Sequence, residues 1–169
     1  MSRSIGPGLP HDLLARLSQA QLSRHLGKVL PLITVDSDGF PHPMLLSSLE
    51  VRAVDARTIR TVIGARSRSA RNLLERQVAT LLIIEPGRTM YVKARATDGP
   101  YPVMGLQDFG LFVLTVEDVL EDAPQEWEGG MRVTGEATYG PAPSLDGPQA
   151  KATLNALSHD RPDKRPGPA

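Results

Sequence analysis

Between Val29 and Tyr139 the chain is a succession of short runs rich in Val, Ile, Leu and Thr, each cut off by Gly, Pro or Asp. That rhythm constrains the fold more than any other feature. Runs at 29–35 and 40–51 flank Asp36-Ser37-Asp38-Gly39, a hairpin signal. A third run, 58–63, halts at Gly64, and 78–84 is the most continuous β-type stretch, as expected of a buried central strand. In 90–96, apolar Met90, Val92, Ala94 and Ala96 alternate with Tyr91, Lys93 and Arg95, the pattern of a strand with one wet face. After a break at Asp98-Gly99-Pro100, residues 109–120 read as a long apolar strand and 131–139 as a last alternating one. Pro31, Pro41 and Pro43 cannot donate to a ladder, so they belong at strand starts, edges or bulges.

Helical spacing is rarer. Leu13, Leu14, Leu17 and Ala20 place an amphipathic helix over 12–26, stopped by Gly27. A short helix follows the third strand, with Ser67 or Ser69 as N-cap, Ala70, Leu73 and Leu74 as its apolar stripe, and an end near Arg76. With so few helices between strands, an all-parallel α/β sheet fails. The pattern predicts a mainly β fold of six to seven antiparallel strands, closed so that apolar edges are not exposed, with an N-terminal helix and one short inserted helix. The expected domain spans 11–140. Residues 1–10 read as a flexible arm and 141–169 as a Pro-rich tail, with a helix of about two turns over 149–157 and a disordered composition over 160–169.

At 169 residues the chain is one domain's worth. It has no cysteine, which excludes a disulfide scaffold, a Cys-ligated metal and a thiol nucleophile, and suits a reducing cytoplasm. Lys and Arg total 19 against 19 Asp and Glu, so the chain does not advertise itself as a nucleic-acid binder. No stretch approaches a membrane span, and the first residues lack the apolar run of a signal peptide.

Neutrality conceals segregation. Arg52, Arg57, Arg60, Arg66, Arg68, Arg71 and Arg76 are opposed only by Asp55 and Glu75 within their stretch, while residues 108–128 carry seven acids and no base. Two solvated faces would explain this, and so would a basic stretch that holds one small anion such as a phosphate. The sharpest local candidate is Gly64-Ala65-Arg66-Ser67-Arg68-Ser69, where a strand ends and a helix begins amid hydroxyls and guanidinium groups. Free N–H groups, the positive end of a helix dipole and Arg donors together suit an anion; a Ser-capped helix with a basic surface is the plainer account. No Walker A loop or Gly-x-Ser-x-Gly elbow occurs, and no pair among His11, His25, His42 and His159 has metal-ligand spacing. No side chain stands out as a catalytic acid or base.

The order of these pieces resembles the FMN-binding split β-barrel superfamily, the pyridoxamine 5′-phosphate oxidase-like proteins, over roughly residues 12–139. The likeness rests on a front helix, the Asp38-Gly39 hairpin, the strand carrying Met44-Leu45-Leu46-Ser47-Ser48, the Ser67-Arg68-Ser69 helix start with Asn72-Leu73-Leu74, and the apolar strand that follows. It implies that Arg66, Ser67, Arg68 and Ser69 hold an FMN phosphate, that Leu46, Ser47 and Ser48 contact the isoalloxazine, and that Val62 and Ile63 line the pocket. It also implies a cytoplasmic homodimer with a cofactor at the interface, completed by partner residues such as Gln107 or Trp127, and an FMN-dependent oxidoreductase acting on a small molecule. Haem, a deazaflavin or no cofactor are the alternatives among relatives with altered motifs, as is a non-enzymatic, stress-associated binding protein. The oxidase proper has Arg at the position of Met44, Lys at that of Leu49 and Lys at that of Ser69, departures that argue against pyridoxamine phosphate as substrate.

Overall fold

The computed structural model describes residues 2–159, so the tail expected over 160–169 lies outside the described residues. Strand β1 (Arg3–Gly6) pairs with a late strand of the sheet, tying down the segment expected as a flexible arm. Arg3 reaches Glu121 at 3.1 Å and Ser4 Oγ donates to Asp118 at 2.6 Å, which supplies the anchoring that composition did not reveal. Helix α1 (His11–Leu17) buries Leu13 and Leu17 but ends well short of the expected residue 26. The cause is Gln19, which adopts φ +67° and donates through Nε2 to the carbonyls of Ser48, Leu49 and Val51 at 3.1–3.2 Å. A single turn of 3₁₀ helix, Leu22–Arg24, follows.

Strands β2 (Val29–Val35) and β3 (Pro41–Ser47) form the expected hairpin, its turn held by Asp36 Oδ1 accepting from the N–H groups of Asp38 and Phe40. The run expected over 40–51 divides at a turn after Ser47, and β4 (Val51–Ala53) begins beyond it. Then come β5 (Thr58–Gly64), α2 (Arg68–Glu75), β6 (Val78–Glu85), β7 (Arg88–Val103), β8 (Leu106–Asp122) and α3 (Pro148–Ser158). Asp98-Gly99-Pro100 kinks β7 instead of ending it: the register with β8 shifts on both sides of Asp98. Gly99 is required there, because it sits at φ +98° and a Cβ would lie 2.5 Å from the Leu111 carbonyl oxygen.

The expected strand over 131–139 does not form. Both β2 and β7 already have neighbours on either side, so this segment makes only an isolated bridge, Lys28 with Thr138, and single bonds such as Gly87 N–H to the Val133 carbonyl. The sheet is antiparallel throughout, in the order β3-β2-β6-β7-β8-β5-β4, with β1 added on β8. Its two end strands, β3 and β4, are consecutive in the chain, which curls the sheet into a split barrel. Thus the predicted architecture is correct, and β6 is indeed central, between β2 and β7.

Inside the barrel Leu30, Leu32, Leu46, Ile63, Ile83 and Phe112 form the main core, closed by Leu13 and Leu17 of α1 and by Ala70 and Leu73 of α2. On the outer face, Val62, Tyr101, Val103 and Leu111 pack under Leu157 of α3. Helix α3 is therefore part of the fold, although its segment was expected to trail as tail; Ala150, Thr153 and Leu157 make the buried stripe. Arg52 and Arg60 lie opposite one another on β4 and β5, and like charges so placed repel. The negative end of α3 offsets this: Arg52 donates to Ser158 Oγ at 2.7 Å, and Arg60 to the carbonyls of Leu157 and His159.

Strand β3 is one edge of the sheet and carries Pro41 and Pro43; the Tyr139 hydroxyl donates to the Leu45 carbonyl from outside, at 3.0 Å. No helix of the described residues is long and apolar enough to cross a membrane.

Candidate functional site

The β5–α2 junction follows directly from its sequence. β5 ends at Gly64, Ser67 N–H donates to the Gly64 carbonyl at 3.0 Å, and Ser67 Oγ then accepts from Ala70 N–H at 3.1 Å as the N-cap of α2. Opening a helix leaves the next N–H groups, those of Arg68 and Ser69, without intrahelical acceptors. Arg66, Arg68 and Arg71 are exposed around them. Arg68 and Arg71 make no ion pair among the described residues, and Arg66 meets only Asp108 at 3.7 Å, both side chains being largely in solvent. Such a pair contributes little. By contrast, much of the acidic stretch is engaged: Glu117 with Arg95 at 2.8 Å, Glu121 with Arg3 at 3.1 Å, and Asp118 with Ser4 at 2.6 Å. What remains is a concentrated positive potential at the start of α2.

A cavity of about 510 Å³ lies between the end of β3, the outer face of β5 and α3. Its volume falls in the range of small-molecule sites, roughly 300–1,000 Å³. Ser47, Glu50, Val62 and Phe109 line one side, and Ser144, Gln149 and Thr153 the other. Phe109 pairs with Gly64 in the β5–β8 ladder, and Ala65 N–H donates to the Asp108 carbonyl at 2.8 Å, so the cavity wall runs into the basic junction. Glu50 lines the cavity beside Val62. Its carboxylate accepts from Ser47 N–H at 2.7 Å and from Ser47 Oγ at 2.9 Å. Burial, with the nearby Glu50 charge adding to it, raises the pKa of the Tyr139 phenol above its ordinary value.

Strand alternation sorts the expected site residues into separate groups. Ser47 and Val62 face the cavity, whereas Leu46 and Ile63 point into the barrel core, each about 1% exposed. Ser48 is buried in the turn beneath Gln19, to which it offers its carbonyl. Arg66, Ser67 and Arg68 gather at the junction as expected. Ser69 joins them through its backbone only, because its Oγ is enclosed and has no hydrogen-bond partner among the described residues. Gln107 and Trp127 are exposed, on β8 and on the 3₁₀ turn Glu126–Glu128. Glu50, Phe109 and Thr153 escaped the sequence reading. Only Glu50 had a local signal, since Ser47-x-x-Glu50 has the spacing of a Ser and a Glu that bond reciprocally around a turn. Phe109 and Thr153 reach the cavity through long-range pairing and α3 docking.

No protein-family model matches the chain, and no curated protein sequence matches it. Solved structures do. A candidate pyridoxamine 5′-phosphate oxidase of Lactobacillus delbrueckii superposes with TM-score 0.53 at 14% identity, covering 69% of this chain and 98% of that one. An F420 reductase superposes with TM-score 0.50 at 16% identity, covering 66% of this chain and 98% of that one. The chain shares the split-barrel fold of these structures.

Proposed function

We propose that the protein binds FMN and acts as an oxidoreductase on a small molecule. The observation that carries this is the continuity of two features: an open, Arg-surrounded helix start at the end of β5, and a ligand-sized cavity against the outer face of the same strand. The split-barrel neighbours support the same assignment at the level of fold.

The residues present fit such a group. Arg66, Arg68 and Arg71 supply charge for a phosphate dianion, and the N–H groups of Arg68 and Ser69 supply directed donors. Ser67 holds the turn that aims them. Ser47, Val62 and Phe109 offer a mainly apolar wall for a ring system and exclude water from it. FMN, when bound, supplies hydride or electron transfer, so the chain itself needs no nucleophile and no thiol. An F420-type deazaflavin shares the phosphate chemistry, and one of the structural neighbours is an F420 reductase. A homodimer, with partner residues completing each site, and a cytoplasmic location suited to a cysteine-free chain complete the proposal.

Titration with FMN, read by quenching of flavin fluorescence, tests the assignment. The double variant Arg66→Ala/Arg68→Ala should weaken binding by about tenfold to a hundredfold, as expected on losing charge-assisted phosphate contacts. Riboflavin, lacking the phosphate, should bind both proteins alike. Wild-type protein that ignores FMN, or a variant that binds it unchanged, overturns the assignment.

A further inference from the structure

The cavity holds a charge that phosphate recognition does not use. Glu50 is the one formally charged side chain in its wall, and no Lys, Arg or His pairs with Glu50 among the described residues. The surrounding wall mixes apolar Leu49, Val62, Phe109, Pro148 and Ala150 with uncharged polar Ser144, Gln149 and Thr153. Glu50 is also held unusually firmly. Its N–H donates to the Ser47 carbonyl at 3.0 Å, its carbonyl accepts from Val62 N–H at 3.0 Å, and Oε2 takes both bonds from Ser47. Oε1 accepts no hydrogen bond among the described residues.

Glu50 is only partly buried in the cavity wall, so its carboxylate can exchange water for a ligand donor, and no cation among the described residues competes for it. An anionic ligand group would be repelled there, whereas an ammonium would gain a charge-assisted bond from a group already in position. We propose that this part of the cavity takes a small organic cation, a primary ammonium carried on an apolar body, with the ammonium on Glu50 Oε1. As the substrate of flavin chemistry this cation rests on the function proposed above; as a binding site it does not. The site thereby has two regions of opposite character, phosphate at the start of α2 and ammonium at Glu50.

The test uses benzylammonium, benzyl alcohol and benzoate as probes of equal framework and different charge, titrated calorimetrically into the full chain without added flavin. Benzylammonium should bind about tenfold or more tightly than benzyl alcohol, and benzoate should not saturate. Glu50→Gln, which keeps an acceptor for Ser47, should abolish that advantage while circular dichroism stays unchanged. Wild-type protein that binds ammonium and alcohol equally, or binds neither, overturns the proposal without reference to any variant. So does an ammonium preference that survives in Glu50→Gln. Parallel FMN titrations separate the two ideas: ammonium preference without FMN affinity removes only the flavin assignment, and FMN affinity without ammonium preference removes only the cation site.

Discussion

The two faces of β5 are both buried, but by different means. Ile59, Thr61 and Ile63 look into the barrel, where Phe112 and Leu114 of β8 meet them; Arg60 and Val62 look outward and are covered by α3. The inner face is filled to contact by strands held in register by their own pairing. The outer face is roofed by a helix that arrives from beyond the last strand, touches through Leu157, and leaves the cavity at its flank. Packing to completion makes a core, while roofing without filling makes room for a ligand.

The contrast can be broken experimentally. Phe112→Ala should cost about 3–5 kcal/mol, because it opens the barrel interior, and should lower the urea midpoint of the whole chain. Leu157→Ala should cost less, about 2–3 kcal/mol, and should raise hydrogen exchange in α3 more than in the barrel strands. The two losses should add, since the residues belong to separate clusters; strong non-additivity would show that roof and barrel form one cooperative unit. Next in size, Arg60→Met should cost about 1–2 kcal/mol by leaving the Leu157 and His159 carbonyls at the end of α3 without their donor. An undiminished exchange protection of α3 in that variant would contradict its role as a clasp.

Smallest is a pH effect remote from both faces. Burial, reinforced by Lys28 and Arg16, pushes the His25 imidazole below its ordinary range, so the folded chain resists a proton that the unfolded chain accepts. Stability should therefore decline as pH falls below about 6.5, and His25→Gln should flatten that decline in thermal melts. A second decline belongs to Asp12 and Glu85. The hydrogen bond from Arg88 lowers the Asp12 pKa; burial raises that of Glu85, but Arg88 and Arg16 outweigh it. Their contribution is full above the usual carboxylate range and is lost as pH falls through the depressed values.

What the sequence revealed follows the same division. The barrel was legible because hairpin turns, period-two runs and the Ser67 cap are local signals, each readable within a dozen residues. The Arg-surrounded junction at the start of α2 was legible for that reason too. The roof was not. Pro- and Gly-rich residues around 140–148 disguise a segment whose stripe of Ala150, Thr153 and Leu157 makes sense only against β5 and β8. Leu46 and Ile63 were assigned to the site with their neighbours because a linear motif does not distinguish the two sides of a strand. The failure of 131–139 to pair has a similar origin, since alternation advertises a strand but cannot supply a vacant neighbour.

The edge strand β3 has one more consequence. Asp36 N–H bonds to the Phe40 carbonyl, which fixes the parity of the hairpin: Pro41, Pro43 and Leu45 turn their main-chain groups away from β2. Two of those three positions have no N–H to offer, and the Leu45 carbonyl is already occupied by the Tyr139 hydroxyl. An extended peptide approaching this border finds two of the three donors missing and one acceptor taken, so the prolines act as gatekeepers against runaway strand addition and fibril growth.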